Sequence, residues 1–181
     1  MAFDFFKKKK KKEEIKLEDL VLSKLKPGFL VDYDMRPHKV MAQNHYKWEE
    51  GAVTYEWELK EGSETWFLER PEDDGEVEWS LCQKKPISML EGDIADHIEK
   101  HEDPPEKVVY QGKTFYYEED DVGELFRGDA KEGLPFVTWD FTDEKGEEFL
   151  TIEQWGETKF DLTIGFEVEE YQFTNILPGE D

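Results

Sequence analysis

The stretch YEWELKEGSETWFLERPEDDGEVEWSL, residues 55–81, decides the fold because its apolar and polar side chains alternate. Trp57 and Leu59 lie on one face of a strand, and Glu56 and Glu58 lie on the other. Turn chemistry at 61–63 and 73–75 separates three such segments. A period of two is typical of antiparallel strands with one apolar face and one solvated face.

The same alternation continues on both sides of this stretch and predicts about twelve short strands. In the segment 76–82 it places Val77, Trp79 and Leu81 on the apolar face. No rhythm of alternating strands and helices is present, so a parallel sheet is not expected. The predicted strands are 29–34, 38–48, 53–60, 64–70, 76–82, 107–111, 113–120, 123–128, 134–141, 147–154, 158–164 and 166–177.

Two short helices interrupt the strands. Apolar residues at helical spacing over 17–25 predict a helix of about two turns that Pro27 ends. The spacing of Leu90, Ile94 and Ile98 predicts a second, connecting helix. The predicted organisation is a leader over 1–16, a first β half with its helix over 17–85, a connecting helix and proline-rich linker over 86–106, a second β half over 107–177 and a tail over 178–181.

The second half of the chain repeats the pattern of the first. The aligned positions are Trp57 with Trp139, Leu59 with Phe141, Phe67-Leu68 with Phe149-Leu150, and Trp79-Ser80-Leu81 with Phe160-Asp161-Leu162. Because the aligned side chains keep size and face rather than polar chemistry, we expect them in the core, with Trp66 outside this assignment. The predicted fold is all-β with two short helices, in two related antiparallel halves from an internal duplication, arranged as two packed sheets or as half-barrels about a pseudo-twofold axis.

Charge and cysteine content limit the classes of partner. The net charge is −23 although six of the 23 basic residues are Lys7 to Lys12, so the rest of the chain is more acidic still. Such a body repels phosphate backbones, so we expect no nucleic acid and instead a basic protein surface or another polycation. Cys82 is the single cysteine, which suits a reducing compartment and a buried, unreactive thiol. Neither a secretory signal nor a membrane span is predicted, which indicates a cytoplasmic protein.

The N-terminal leader combines aromatic residues with the lysine run. One interpretation is peripheral contact with an anionic membrane at the inner face, and the other is a solvated, disordered leader. The candidate membrane-contact residues are Phe3, Phe5, Phe6, Lys7, Lys8, Lys9 and Lys10.

Candidate sites consist of carboxylate clusters, one tryptophan and a histidine pair. His97 and His101 lie one helical turn apart, but the chain offers few further soft ligands, so we predict a solvated helix face rather than a metal site. No catalytic motif is present, and no cofactor is predicted. The candidate residues for a ligand or partner are Trp66, Glu72, Asp73, Asp74, Glu118, Glu119, Asp120 and Asp121. The alternative for the acidic clusters is solvated hairpin tips that protect edge strands from aggregation.

Three sets of motifs resemble the bacterial domain-of-unknown-function 4178 family over about residues 18–175. They are KLKPGFLVDYD, TYEWEL…WFLE…EWSL, and VVYQGKTFYYEEDDVGELFRGD…LPFVTWDFTDEKGEEFLTIE…ETKFDLTIG. The resemblance implies no established activity. It implies an accessory protein encoded with membrane-stress proteins of the phage-shock and band-7 types and with polyamine-synthesis enzymes. The matching residues are Trp57, Leu59, Trp79, Gly112, Tyr117, Glu118, Gly123, Glu124, Leu125, Asp140, Gly146, Leu150 and Glu153, whereas the loop 127–133 does not align.

Three functional hypotheses follow. The first is a non-enzymatic adaptor or binding module whose acidic surface engages a basic partner, accessory to a membrane-stress or polyamine-related system. The second is a binding protein for a small cationic ligand such as a polyamine, with aromatic faces beside carboxylates. The third is an enzyme, which would require a closed pocket with convergent polar groups.

Overall fold

The protein is an antiparallel β-barrel with covering segments, as seen in a computed structural model that describes residues 16–73 and 76–179. In these ranges the chain forms one α-helix, α1 (Ile94–His101), and twelve strands. The strands are β1 (Leu30–Tyr33), β2 (Arg36–Trp48), β3 (Val53–Glu61), β4 (Glu64–Asp73), β5 (Glu76–Val77), β6 (Trp79–Lys85), β7 (Lys107–Tyr110), β8 (Lys113–Arg127), β9 (Leu134–Asp143), β10 (Glu148–Gln154), β11 (Phe160–Val168) and β12 (Phe173–Leu177). Short 3₁₀ turns span Leu17–Asp19, Leu22–Lys24, Ile87–Met89 and Glu170–Gln172.

Eight strands close the barrel in the order β2, β3, β4, β6, β11, β10, β9 and β8. The closing contact is between β2 and β8, where Asn44–Trp48 pair with Gly123–Arg127. The first residues of β2 pair with the short strand β1 along the same edge. In the same way, the first residues of β8 pair with the short strand β7. The predicted antiparallel all-β class is therefore confirmed, in the form of a closed barrel. The predicted internal duplication and the division at 86–106 stay predictions.

The apolar face of the sheet points outward and is covered by other parts of the chain. Trp57 packs beneath the segment that precedes β1, and its indole N–H donates to the carbonyl oxygen of Leu25 at 2.9 Å. On the other side of the barrel Trp139 packs in a second cluster that includes Ile98 of α1. Burying each such side chain contributes about 1.5–3 kcal/mol. The fully buried members include Leu59, Leu68, Leu81, Phe141, Leu150, Ile152 and Leu162.

The other face of the sheet lines the barrel interior, so the predicted solvated face is wrong at several positions. Glu56 is 1% exposed and Glu153 is 5% exposed. Closure of the sheet turns these side chains inward, which alternation alone does not reveal. Val77, predicted on the apolar face, is 51% exposed because β5 pairs only with the end of β4 and is not one of the strands that close the barrel.

Several predicted boundaries differ from the structure. The helix predicted over 17–25 is wrong: Val21 is extended between two 3₁₀ turns, which lets Leu22 and Leu25 both reach the outer face of the barrel. The connecting helix is confirmed as α1. β6 extends to Lys85, beyond the predicted end at residue 82, and β8 is one strand where two were predicted. None of the helical segments in residues 16–73 and 76–179 meets the length and hydropathy needed to span a bilayer.

The burial of side chains in the outer clusters predicts that two leucine-to-alanine substitutions differ widely in their effect on stability. We expect Leu59→Ala to lower the free energy of unfolding by about 2–5 kcal/mol, because the side chain is fully buried and its removal leaves a cavity. Leu177→Ala is the matched control: Leu177 is 53% exposed, and the expected loss is about 0.5 kcal/mol or less. Urea unfolding of both variants measures the difference, and equal losses would contradict the assignment of the core.

Candidate functional site

The barrel interior contains a cavity of about 520 Å³ with an acidic and aromatic wall. Its wall has five carboxyl groups and, among the described residues, no lysine, arginine or histidine. The carboxyl groups belong to Glu69, Glu118, Glu119, Asp140 and Glu153. The remaining wall comprises Tyr46, Trp48, Thr54, Pro71, Ser80, Phe136, Thr138, Phe141, Thr142, Phe149, Thr151 and Thr163.

A single ammonium group joins opposite walls of the barrel beside this cavity. Lys84 Nζ lies 3.7 Å from Glu56 Oε2 on β3 and 4.0 Å from Glu153 Oε2 on β10. Glu56 also accepts hydrogen bonds from Asn44 Nδ2 at 2.7 Å and from the Tyr46 hydroxyl at 2.6 Å. Burial disfavours the charge on Lys84, but the carboxylates outweigh burial and raise the pKa of Lys84. The ammonium group therefore stays charged throughout the neutral range.

The carboxyl group of Glu69 has a strongly raised pKa. The Cα of Glu69 on β4 lies directly opposite that of Glu56 on β3. Burial raises the pKa of Glu69 to about 8, repulsion from Glu56 and Glu153 adds to the shift, and Lys84 opposes it. Cys82 Sγ lies 3.5 Å from Glu69 Oε1, and burial raises the pKa of the Cys82 thiol as well. The predicted buried thiol is confirmed.

Two neighbouring polar atoms in the wall have no hydrogen-bond partner in the described part of the chain. They are Glu153 Oε2 and Thr138 Oγ1, which belong to residues directly opposite each other on β10 and β9. The other oxygen of Glu153 accepts from Thr163 Oγ1 at 3.3 Å. Burial raises the pKa of Glu153, and Lys84 opposes this shift. An unpaired buried polar atom costs about 1–3 kcal/mol, so a ligand that donates N–H bonds here would remove that cost.

A second group of acids lies along β8 and β9. Burial raises the pKa of Asp140 to about 6, the hydrogen bond from Thr151 opposes this shift, and Glu119 adds to it. Glu118 and Glu119 are exposed, and Glu118 accepts from Thr142 Oγ1 at 3.3 Å. These exposed carboxylates place negative charge where the cavity meets solvent.

Aromatic rings form another part of the wall. Phe136 stacks on Trp155 with ring centroids 4.6 Å apart. The ring centroids of Trp48 and Phe136 are 5.4 Å apart. Tyr46 stacks on Trp48 at 5.9 Å, and Trp48 Nε1 donates to Thr54 Oγ1 at 2.9 Å. The ring faces carry negative electrostatic potential, which favours a cation beside them.

The structure brings only part of the predicted acidic cluster to the cavity. Glu118 and Glu119 line it, but Asp120 accepts from the Tyr117 hydroxyl and Asp121 accepts from the backbone N–H of Val122. The alternative of a hairpin tip is wrong for these four acids, because β8 runs through them without a turn.

The other predicted residues lie away from the cavity or outside the described residues. Trp66 is partly buried against the first outer cluster, edge-on to Phe166 at 6.5 Å. Glu72 is exposed and forms an ion pair with Arg70. The structure describes the backbone of Asp73 but not its side chain. The residues wholly outside the described ranges are Asp74, Phe3, Phe5, Phe6, Lys7, Lys8, Lys9 and Lys10.

The two histidines of the predicted pair lie side by side on α1. The rings of His97 and His101 have centroids 4.5 Å apart on α1. Among the residues that the structure describes, no group of three or more histidine, cysteine, aspartate or glutamate side chains can hold a metal ion.

Sequence reasoning missed the acids of the lumen and their counter-ion. Glu56 was placed on the solvated face of its strand, Glu69 was not among the candidate residues, and Lys84 lay beyond the predicted end of its strand. A signal was available in the resemblance, because Glu118, Asp140 and Glu153 are among its matching positions and all three line the cavity.

Replacing Lys84 should destabilise the barrel in a pH-dependent way. Lys84→Met leaves Glu56 and Glu153 without their ammonium partner, so we expect a loss of about 2–4 kcal/mol in the free energy of unfolding near neutral pH. The loss should shrink as the pH falls, because burial raises the pKa of Glu153 and its protonation removes one of the negative charges that Lys84 balances.

Lys85→Met is the control for this effect, because Lys85 is the next residue of the same strand and its side chain projects to the other face. Chemical denaturation at several pH values measures both variants. An identical response of the two variants would show that the ion pairs across the lumen contribute nothing.

Comparisons with known proteins place the chain in a family. The family model described as "Domain of unknown function (DUF4178)" matches residues 26–170. An uncharacterised protein of Aquifex aeolicus (strain VF5) is 30% identical over 176 residues, which cover 92% of this chain and 93% of that protein. No solved structure matches. The chain therefore belongs to the DUF4178 family of domains of unknown function.

Proposed function

We propose that the barrel binds a small organic cation that carries ammonium groups, such as a polyamine. The observation that carries this proposal is the wall of the cavity, which combines five carboxyl groups with aromatic rings. The nearby ammonium of Lys84 is already engaged by Glu56 and Glu153. Such a wall attracts cations and repels anionic ligands.

The chemistry of the wall favours ammonium over a bare metal ion. Within the described residues Glu153 Oε2, which lies 4.0 Å from Lys84 Nζ, and Thr138 Oγ1 have no hydrogen-bond partner, and each charge-assisted bond from a ligand N–H would contribute about 1.5–3 kcal/mol. Trp48 and Phe136 add ring faces, and a desolvated cation–π contact contributes up to about 2 kcal/mol. A metal ion would instead require several convergent oxygen ligands.

The size of the cavity and the family resemblance agree with this class of ligand. The volume of 520 Å³ lies within the range of about 300–1,000 Å³ usual for small-molecule sites. Eight-stranded barrels of this kind are wide enough to hold one small ligand. The resemblance adds an association with polyamine-synthesis enzymes, which supports the same ligand class. The proposal assigns the protein a binding role and no catalytic step.

Titration with spermidine tests the proposal. We expect the tryptophan fluorescence to change on binding because Trp48 lies in the wall, and Glu153→Gln to weaken the affinity about tenfold or more. Glu167→Gln is the control, since Glu167 is exposed on β11 and the change in net charge is the same. Equal weakening by both variants, or an unchanged spectrum at about millimolar ligand, would contradict the proposal.

A cytoplasmic adaptor with an acidic surface is the second candidate. It is favoured by the net charge of −23 despite the lysine run, which suits a basic protein surface or another polycation. Peripheral membrane contact through the N-terminal residues belongs to this candidate. Co-purification from the native host with washes of low and high salt would test it, because an electrostatic partner should be retained only at low salt.

The inferred duplication would explain why opposite sides of the lumen differ in polar chemistry. Under the alignment, Trp57 and Trp139 are both buried in outer clusters. In the cavity wall Glu69 aligns with Thr151. The aligned inward residues therefore differ in polar chemistry, whereas the aligned outer residues are both tryptophan. This pattern is expected when a repeated scaffold preserves its core and one lumen face diverges into a site.

A further inference from the structure

The carboxyl groups around Lys84 outnumber their counter-ion. Glu56, Glu69 and Glu153 come from β3, β4 and β10, and Lys84 from β6 is the ammonium group that faces all three. Glu56 and Glu69 lie directly opposite each other on neighbouring strands, where two like charges destabilise the pair. The buried carboxyl groups of Glu56 and Glu153, the partly buried one of Glu69 and a single ammonium group cannot all be charged without a large cost, so this cluster holds a proton.

The hydrogen bonds indicate which carboxyl group holds the proton. Both oxygen atoms of Glu56 already accept hydrogen bonds, one from the Asn44 amide and one from the Tyr46 hydroxyl, and the carboxyl group also faces Lys84. Glu69 has the weak thiol of Cys82 as its neighbour and no lysine or arginine within 4.0 Å in the described structure. Glu69 is therefore the group that stays neutral while the cavity is empty of cations.

The groups facing Glu69 from each packed element are consistent with this assignment. They are Tyr46 on β2, Glu56 on β3, Cys82 and Lys84 on β6, and Glu153 on β10, while Asp140 on β9 lines the same cavity and Asp161 on β11 acts on Glu153. Lys84 is the one group among them that can carry a positive charge, so the others do not favour ionisation of Glu69. Glu69 also lines the cavity directly, so a ligand that enters meets its carboxyl group.

We infer that an ammonium ligand entering the cavity expels the proton of Glu69, so that the site exchanges one cation for one proton. The O–H bond of the Glu69 carboxyl group breaks, the proton passes to solvent buffer, and the carboxylate pairs with the ligand ammonium without a covalent bond. This inference rests on the proposed function and adds a coupling to it. The pKa of about 8 agrees with a group that is protonated in the free protein at neutral pH.

The coupling fixes the direction of the pH dependence. Below a pH of about 8, Glu69 must lose its proton before it can pair with the ligand, so affinity should rise up to about tenfold per pH unit. Above about 8 the group is already ionised, and the affinity should level off. Asp140, with its pKa of about 6, can add to the exchange in acid but adds little at neutral pH.

Calorimetry with 1,4-diaminobutane tests this inference, because both amines of this probe stay protonated at neutral pH. The heat of binding is measured at about pH 7 in two buffers with different heats of ionisation, which yields the number of protons released. For the wild-type protein we expect about one proton released per ligand, falling toward none above a pH of about 9. Glu69→Gln should bind without release and without pH dependence near neutral pH, whereas Glu167→Gln should behave as wild type.

Each outcome decides between the two proposals. Binding without proton release at neutral pH would overturn the exchange and leave the cation site standing. Release that is unchanged in Glu69→Gln would overturn the assignment of the proton to Glu69. No binding of the diamine in any buffer would overturn the proposed function and the exchange together. If Glu69→Gln does not fold, the decline of proton release in the wild-type protein above a pH of about 8 tests the same group.

Discussion

Closure of the sheet between β2 and β8 is the constraint on which the rest of the structure depends. Once Asn44–Trp48 pair with Gly123–Arg127, the sheet has an inside and an outside, and both faces lose contact with water over most of their area. The apolar residues lie outside, beneath the N-terminal segment, α1 and the short strands. Hydrophobic stabilisation therefore comes from the outer layers, and the lumen is free to carry polar groups that a packed core would exclude.

This separation allows the lumen to hold charge that is only partly balanced. Lys84 compensates Glu56 and Glu153, while Glu69 and Asp140 are shifted toward their neutral forms by burial and by neighbouring acids. Each uncompensated group lowers the stability of the empty barrel. A ligand that supplies positive charge recovers part of that loss as binding free energy, because it binds the folded state and not the unfolded chain.

Alternation predicted the strands and the burial of Trp57, Trp79 and Trp139, because a period of two identifies an apolar face whatever covers it. It did not predict which face becomes the lumen, since closure depends on pairing between β2 and β8, far apart in the sequence. Lys84 was missed for a local reason: Gln83, Lys84 and Lys85 do not alternate in polarity, yet β11 pairs with them and continues the strand. Helical spacing over 17–25 misled because burial against the barrel favours two 3₁₀ turns there.

The distribution of chemistry around the lumen argues for an elongated ligand over a compact ion. Along β9 the inward residues Phe136, Thr138, Asp140 and Thr142 change from ring to hydroxyl to carboxyl to hydroxyl, in steps of about 7 Å. Carboxylates on β10 and β8 face this row at Thr138 and near Asp140. A compact ion would contact the carboxylates at one position along this row and leave those at the other position without a partner. A flexible chain with separated ammonium groups would meet carboxylates at two positions along this row, and the rest of the chain would lie against the ring of Phe136 at the end of the row.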